Sequence, residues 1–391
     1  VDLDLGWADL TSVSAWRFWD WDPANDADFT RLSVITNSIN ADKQRQLSQE
    51  FRLASKGGGS IDWIVGLYGF WQEIEAWGGT RYGADATPYL LNATLPRGLL
   101  DGYGSDFNAS SETDSYAAFG QLTWRPIEKL SITPGLRYTY EQKSATYDAR
   151  VSGGLAPANA VQAASKLALA RPQAYAAEES DGSLSGQLNL AYQLTPDILL
   201  YANYARGYKS GGLNLAGLPV DATGAPLVAK AVVAPEKTDA WELGVKSAFF
   251  DRLTVNLAAF LSETQDYQAN VVEVDGATAR TYLDNVEEVR SRGVELDVRL
   301  ARTLGFTGYA STAFTDAEYI SYANGPCPLE LIGPALRACD LSGRPLPGVS
   351  RWVVSTGGEY AHELSIGAAE AQLYAGAEYN WRSGFFSNAS D

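Results

Sequence analysis

The stretch that decides the fold is 183–214, which reads SLSGQLNLAYQLTPDILLYANYARGYKSGGLN. Before the short turn at 194–197, apolar residues hold one parity and polar residues the other; the apolar set is Leu184, Leu188, Leu190, Tyr192 and Leu194. A period of two indicates a β-strand, because successive side chains point to opposite faces. A second run at 198–208 ends in the glycine-rich segment 209–212. The stretch therefore predicts a hairpin with one tight end and one open end.

The same unit recurs along the chain. Alternation is clear at 130–141 and 238–250, and in the strand at 290–300 the charged residues Glu295, Asp297 and Arg299 alternate with apolar ones. We expect roughly 14 strands in which short turns alternate with long loops, a count that rests on this periodicity. The predicted loops lie near 22–44, 78–113, 150–181, 209–237 and 320–348. The loop at 150–181 is Ala-rich around 161–170, which favours a short helix there.

Composition excludes several classes of protein. The 391 residues carry a net charge of −17, which argues against nucleic acid as a partner. A single His rules out a His-cluster metal site, and no run of 18 apolar residues predicts a transmembrane helix. The sequence contains no Met and begins at Val1 in strand-like residues. We interpret it as part of a longer polypeptide.

Long strands, alternating loop lengths and aromatic residues near strand ends are typical of outer-membrane β-barrels. In hydrocarbon every backbone donor and acceptor must be paired within the protein, which strands achieve by closing into a barrel. We predict that the apolar face meets lipid and that the other face lines an interior. The charged residues expected on that inner face are Arg137, Glu242, Lys246, Glu295, Asp297, Arg299, Glu370 and Glu378. The alternative is a soluble propeller or sandwich, but no repeat of about 40 to 50 residues is evident.

Several motifs resemble one family. The segment 201–214 (YANYARGYKSGGLN) is similar to a signature of the TonB-dependent receptors of the bacterial outer membrane. The segments 235–238 with 241–247, and 285–296 with its RGVEL end, resemble the next conserved blocks of those barrels. SQEFRLAS at 48–55 and PGLRYTY at 134–140 match as well. The order and spacing of these motifs match the family over nearly the whole chain.

The resemblance implies a transmembrane antiparallel up-and-down β-barrel of about 22 strands, of which this chain would be a partial barrel. On that basis roughly five strands are missing before Val1 and roughly three after Asp391, together with a plug domain and a TonB box. It further implies a receptor in the outer membrane of a Gram-negative bacterium, surrounded by lipid and lipopolysaccharide. Through the plug, the TonB complex of the inner membrane would energise uptake of a scarce bulky nutrient. The most common such ligand in this family is a ferric siderophore.

Two other functions remain open. The chain could form a passive diffusion barrel, or a surface barrel whose loops only bind. We expect no enzyme, no catalytic residue and no cofactor. His362, placed in a predicted turn at 361–367, has no nucleophile beside it in sequence and is interpreted as a solvated side chain.

Cys327 and Cys339 are the candidate site residues that sequence alone provides. They lie in one predicted external loop, and outside the cytosol a disulfide is the natural interpretation. Metal binding is the weaker alternative, because no His lies near the two thiols. The residues that contact a ligand cannot be assigned. Arg206 and Lys209, at the outer end of a strand, could meet an anionic chelate, or could simply be cations at the membrane surface.

Overall fold

The computed structural model describes residues 1–91, 93–275, 278–328, 331, 338–367 and 369–387; within its strands, the side chains of 273–281, 366 and 369 are not described. Strands dominate this part of the chain. The prediction of an all-β antiparallel up-and-down fold is confirmed.

The strands follow one another as β1 Asp2–Asp4, β2 Ala8–Trp21, β3 Ala24–Asn25, β4 Ile35–Ser55, β5 Ile61–Tyr82, β6 Gly104–Ile127, β7 Leu130–Ser152, β8 Gln173–Thr195, β9 Ile198–Lys209, β10 Gly212–Leu213, β11 Val232–Val233, β12 Glu236–Phe249, β13 Leu253–Asp275, β14 Thr278–Thr303, β15 Phe306–Ser321, β16 Trp352–Ile366 and β17 Ala369–Arg382. A helix, α1 (Ala160–Leu169), lies in the loop between β7 and β8, where the Ala-rich segment predicted one. Asn159 caps it by accepting a hydrogen bond from the amide of Gln162 at 3.0 Å.

The main sheet pairs its strands in the order β1-β2-β4-β5-β6-β7-β8-β9-β12-β13-β14-β15-β16-β17, each antiparallel to the next. The short β3 adds to β4, and β10 with β11 forms a separate two-stranded ribbon. Turns at one end of the sheet are tight, as at 128–129, 196–197 and 304–305. Connections at the other end are long, as at 83–103, 210–235 and 322–351. The predicted alternation of turn lengths is therefore present, except between β13 and β14, which only two residues separate at the long-loop end.

At the long-loop end the strands reach further than the sequence predicted. The segments 35–41, 104–113 and 173–181 were expected to be connectors, but they continue β4, β6 and β8. Beyond the lipid, neither face of a strand needs to be uniformly apolar. The period-two signal therefore fades while the backbone pairing continues.

The register separates two faces along the whole sheet. One face, here called the inner face, carries the charged residues that the sequence analysis assigned to an interior; the other, the outer face, carries Leu136, Leu243, Leu257 and Leu296. Tyr201 on β9 and Ser355 on β16 line one cavity, although four strands separate β9 from β16 in the sheet. In a flat sheet that separation would be about 24 Å. The sheet therefore curves around its inner face, as the wall of a barrel does.

Buried apolar clusters lie at the long-loop end and not in the middle of the sheet. One joins β6, β7 and β8 to the loop 210–235; its members are Ala109, Tyr147, Ala149, Tyr175, Ala177, Leu218 and Ala231. A second joins the upper parts of β13, β14 and β15 to the loop 322–351. Mid-strand leucines of the outer face stay open, Leu243 being 64% exposed. Among the described residues, no helix combines the length and the apolar character needed to cross a bilayer.

Candidate functional site

The charged inner face is the first part of the candidate site. The predicted charges share this face in the register: Arg299 on β14 lies in one row with Tyr309, Gly357 and Glu378. Glu295 lies in another row with Ala258 and Gly244. The other predicted members, Arg137, Glu242, Lys246, Asp297 and Glu370, have the same parity in their strands. The sequence therefore identified this face correctly.

Neighbouring strands hold these charges in place. Tyr201 donates a hydrogen bond to Glu242 at 2.6 Å, and Lys246 lies 5.4 Å from the centre of the Tyr201 ring. Asp297 accepts from Ser311 at 2.6 Å and pairs with Arg299 at 3.1 Å. Their polar atoms face the hollow of the sheet. The wall can therefore contact a polar occupant through fixed charges.

Two cavities lie against the part of this wall that follows β8 in the sheet. One of about 360 Å³ is lined by Tyr201, Asn256, Glu295, Asp297 and Ser355 among others. A second of about 550 Å³ lies nearer the tight turns and includes Arg252, Arg299, Tyr309, Glu359 and Glu378. Carboxylates outnumber cations in both linings. Their chemistry suits a cationic or hydrogen-bonding occupant.

Aromatic rings on the inner face lie across glycines of the next strand. The four register pairs are Phe119 with Gly66, Tyr201 with Gly244, Phe260 with Gly293, and Tyr309 with Gly357. A Cβ added at any of these glycines would come within 2.3 to 2.7 Å of the facing ring. The rings therefore lie along the wall and leave the hollow open. The sequence analysis missed this arrangement, whose only signal is a glycine at an inner-face position of a long strand.

The outer face carries aromatic pairs near the long-loop end. Tyr204 and Trp241 lie with ring centres 5.6 Å apart, and Phe314 and Trp352 lie 5.0 Å apart. Above them on the same face lie ion pairs such as Arg292–Asp316 at 3.0 Å. An aromatic row beneath a charged row is the order expected where a bilayer meets water.

Arg206 belongs to this outer row. Its guanidinium donates two hydrogen bonds to Asp239 on β12, at 2.6 and 2.8 Å, and Tyr204 donates a third to the same carboxylate at 2.6 Å. Lys209 pairs separately with Glu236 at 3.2 Å. The two cations therefore have separate carboxylate partners and do not form a joint anion site. The arrangement favours the alternative that Arg206 is a cation at the membrane surface.

The long-loop end forms the mouth of the hollow. A cavity of about 440 Å³ lies there between Lys230 of the loop 210–235, Tyr282 and Asp284 of β14, and Tyr322 of the loop 322–351. Lys230 donates to Asp284 at 3.0 Å, and this hydrogen bond raises the pKa of the ammonium group. Lys230 is therefore cationic at any physiological pH.

Cys327 and Cys339 are joined in the structure, with Cα atoms 4.9 Å apart. The backbone amides and carbonyls of Gly325 and Cys339 bond to each other at 2.8 and 2.9 Å. Cys339 packs against the cluster that contains Tyr282 and Leu341. The cysteine pair thus fixes one end of the loop 322–351 to the wall of the mouth.

His362 is not in a turn, as the sequence predicted, but within β16, where it pairs with Leu373. Its ring stacks on Tyr360, two residues away on the same outer face, at 6.4 Å. The strand is longer than predicted because β17 pairs with it down to Ile366. Within the described ranges, no group of three or more Asp, Glu, His or Cys residues is placed to hold a metal ion.

Comparisons with known proteins agree with this geometry. Over residues 1–391 the sequence matches the family described as "TonB dependent receptor-like, beta-barrel". The pesticin receptor of Yersinia pestis is 27% identical over 288 residues, which are 73% of this chain and 35% of that receptor. The metal-pseudopaline receptor CntO of Pseudomonas aeruginosa is 27% identical over 157 residues, 40% of this chain and 20% of that protein.

Solved structures share the fold. The ferric yersiniabactin uptake receptor FyuA from Yersinia pestis superimposes with a TM-score of 0.69 at 19% identity, over 99% of this chain and 49% of that one. The siderophore receptor PiuA from Acinetobacter baumannii gives 0.60 at 18% identity, over 97% of this chain and 53% of that one. This chain spans about a third of the length of the pesticin receptor, at 35%. The match over its full length shows that the chain belongs to the TonB-dependent receptor β-barrel family.

Proposed function

We propose that this chain forms part of the barrel wall of an outer-membrane receptor. That receptor would take up a ferric siderophore with energy from the TonB complex. The observation that carries the proposal is the pair of faces: an apolar outer face with aromatic pairs at its border, and a charged inner face around a hollow. Such a wall separates lipid from a polar passage. The relatives named as receptors for ferric yersiniabactin and other siderophores support the choice of ligand class.

The partners follow from the same proposal. Lipid and lipopolysaccharide would cover the outer face, and the loops 22–34, 83–103, 153–172, 210–235 and 322–351 would lie outside the cell. A plug elsewhere in the whole protein would connect the hollow to TonB. The wall itself would act as a receptor and carry out no catalysis.

Growth under iron limitation tests the proposal. Strains with and without the gene are grown on a panel of ferric chelates, and uptake of the supporting chelate is followed with labelled iron. We expect growth on one chelate class only, and loss of uptake when the proton-motive force is dissipated. Uptake that continues without the proton-motive force would instead favour a passive diffusion barrel, and binding without uptake a surface barrel.

A further inference from the structure

The loop 210–235 differs from a free surface loop because it is attached to the wall on both sides. It connects β9 to β12. At the mouth, however, it lies between strands that extend further toward the long-loop end, here called tall strands: β8 on one side, and β13 and β14 on the other. β8 reaches Gln173 and β13 reaches Asp275, whereas β9 ends at Lys209. The loop therefore occupies the gap that the short strands leave between two tall hairpins.

The first attachment is to β8. The side-chain amide of Gln173 donates to the carbonyl of Leu218 at 2.7 Å and accepts from the amide of Leu218 at 2.8 Å. The hydroxyl of Tyr175 lies 2.7 and 2.8 Å from the carbonyl oxygens of Asn214 and Ala216. Gln173 is only 5% exposed and Leu218 is fully buried. These bonds are therefore shielded from water.

The second attachment is to β13 and β14. The side chain of Asn214 donates to the carbonyl of Leu283 at 2.9 Å and accepts from its amide at 3.3 Å. The side chain of Asn285 bonds both the carbonyl and the amide of Ala234, at 2.9 and 2.8 Å. Lys230 adds the ion pair with Asp284. Both arms of the loop thus end on the wall opposite β8.

Apolar packing covers the space between the two attachments. Leu213, Leu215 and Leu218 lie against inner-face residues of β5 to β8, among them Ala76, Phe107 and Tyr147. To swing away, the loop would have to expose these apolar side chains to water and exchange its shielded hydrogen bonds with Gln173 for bonds to water. Exposing apolar surface costs about 25 cal/mol for each Å². The released state is therefore rarely populated.

We infer that the loop 210–235 is a fixed strap across one side of the mouth, and that it sets the width of the ligand's path. Gln173, Tyr175, Asn214 and Asn285 are its positioning residues. A ligand then passes through the part of the mouth that the strap leaves open. The inference about the path rests on the proposed function; the fixed position of the strap does not.

Hydrogen–deuterium exchange on the whole receptor in lipid nanodiscs, without ligand, tests the position of the strap. We expect the amides of Asn214, Leu218 and Ala234 to be protected, because each donates to a partner within the strap or on the wall. In Gln173→Ala the amide of Leu218 should exchange about five-fold faster or more, as expected for one lost hydrogen bond. Gln187→Ala is the matched control, since Gln187 lies on β8 and its side chain contacts Gln121 instead.

Each outcome decides between a strap and a lid. Protection at both attachments supports the strap, and faster exchange in Asn285→Ala at Ala234 supports the second attachment. Exchange at the rate of an unstructured peptide at either attachment, before any substitution, would show a hinged lid and overturn the inference. None of these measurements needs a ligand, so failure of the strap is distinguishable from failure of the proposed uptake.

The ligand path has its own test. Once a chelate that supports growth is known, the double variant Gln173→Ala with Tyr175→Phe should change the KM for its uptake or admit a bulkier chelate. The control Gln187→Ala should show the KM and the chelate preference of the unmodified receptor. If this double variant and the unmodified receptor showed identical uptake and identical chelate preference, the claim that the strap sets the width of the path would be overturned.

Discussion

At the scale of single residues, the inner wall depends on glycines that leave room for a neighbour's ring. The Tyr201 ring lies over Gly244, and its hydroxyl is placed to donate to Glu242. A glycine costs strand stability by itself, because it has more conformational freedom to lose. Here the ring occupies the space that a side chain would take. The glycine therefore lowers the local strand propensity, but it lets the ring lie along the wall and leaves the hollow open.

Gly244→Ala tests this packing. An added Cβ would lie 2.4 Å from the Tyr201 ring, so the ring must turn away and lose its bond to Glu242. We expect a loss of about 1–3 kcal/mol in the free energy of unfolding, measured by urea titration in lipid vesicles. Gly207→Ala on β9 is the control, because nothing lies within 4 Å of its added Cβ. Equal effects at the two glycines would contradict the packing argument.

Asp28 gives a prediction about pH. Its carboxylate accepts hydrogen bonds from the amides of Ile35 at 2.7 Å and Thr30 at 2.8 Å, and these bonds lower the pKa of the carboxyl below its ordinary value of 3.8. Because the pKa is lowered in the folded state, the ionised Asp28 carboxylate stabilises the loop fully at pH values above the ordinary pKa. It is lost as the pH falls through the lower pKa of the folded state.

A dye on Leu32→Cys, which lies in the same loop, should therefore report loosening of this loop only in strongly acidic solution. Adding Asp28→Asn should remove the part of the acid transition that belongs to this carboxyl. A transition that is unchanged by Asp28→Asn would show that other groups control the loop.

At the scale of strands, the sequence predicted the membrane-facing part of each element and missed the upper part. In 130–141 one face must be apolar, so alternation reveals the strand. In 173–181 the loop 210–235 buries Gln173, Tyr175 and Ala177 instead, and the opposite face is polar or small. Such burial depends on a segment about forty residues later in the chain, as the bond from Gln173 to Leu218 illustrates. Local periodicity cannot show it.

The cysteine pair belongs to the same scale, because it acts on a whole loop. A Cys327–Cys339 disulfide would restrict the unfolded freedom of its loop by about 3 kcal/mol. We expect unreduced protein to take up no thiol reagent, as measured by intact mass. The double variant C327A/C339A should be cut faster by protease within 322–351, with cleavage elsewhere unchanged. Two reactive thiols in the unreduced protein would refute the disulfide.

At the scale of the whole molecule, the assignment of faces was predictable but the mouth was not. Strict alternation at 294–300 fixed which side chains share a face, and the register extends that assignment across the sheet. The cavity at the mouth combines Lys230, Asp284 and Tyr322, which come from three separate parts of the chain. They meet only because the long strands stay paired up to the mouth and hold the two loops there. The residues of the mouth therefore required the structure.

Leu257 and Ala258 allow the central physical claim to be tested at adjacent positions of β13. Leu257 is on the outer face, paired with Val245 and Leu296, whereas Ala258 is on the inner face, paired with Gly244 and Glu295. If lipid covers the outer face, Leu257→Lys places a charge in hydrocarbon and should cost about 2–4 kcal/mol near the midplane. Ala258→Lys places the same charge beside Glu295 in the hollow and should cost less than about 1 kcal/mol. Unfolding in lipid vesicles measures both variants. A larger cost for Ala258→Lys would contradict this assignment, because it would mean that the Ala258 face is packed against protein and that the Leu257 face reaches water.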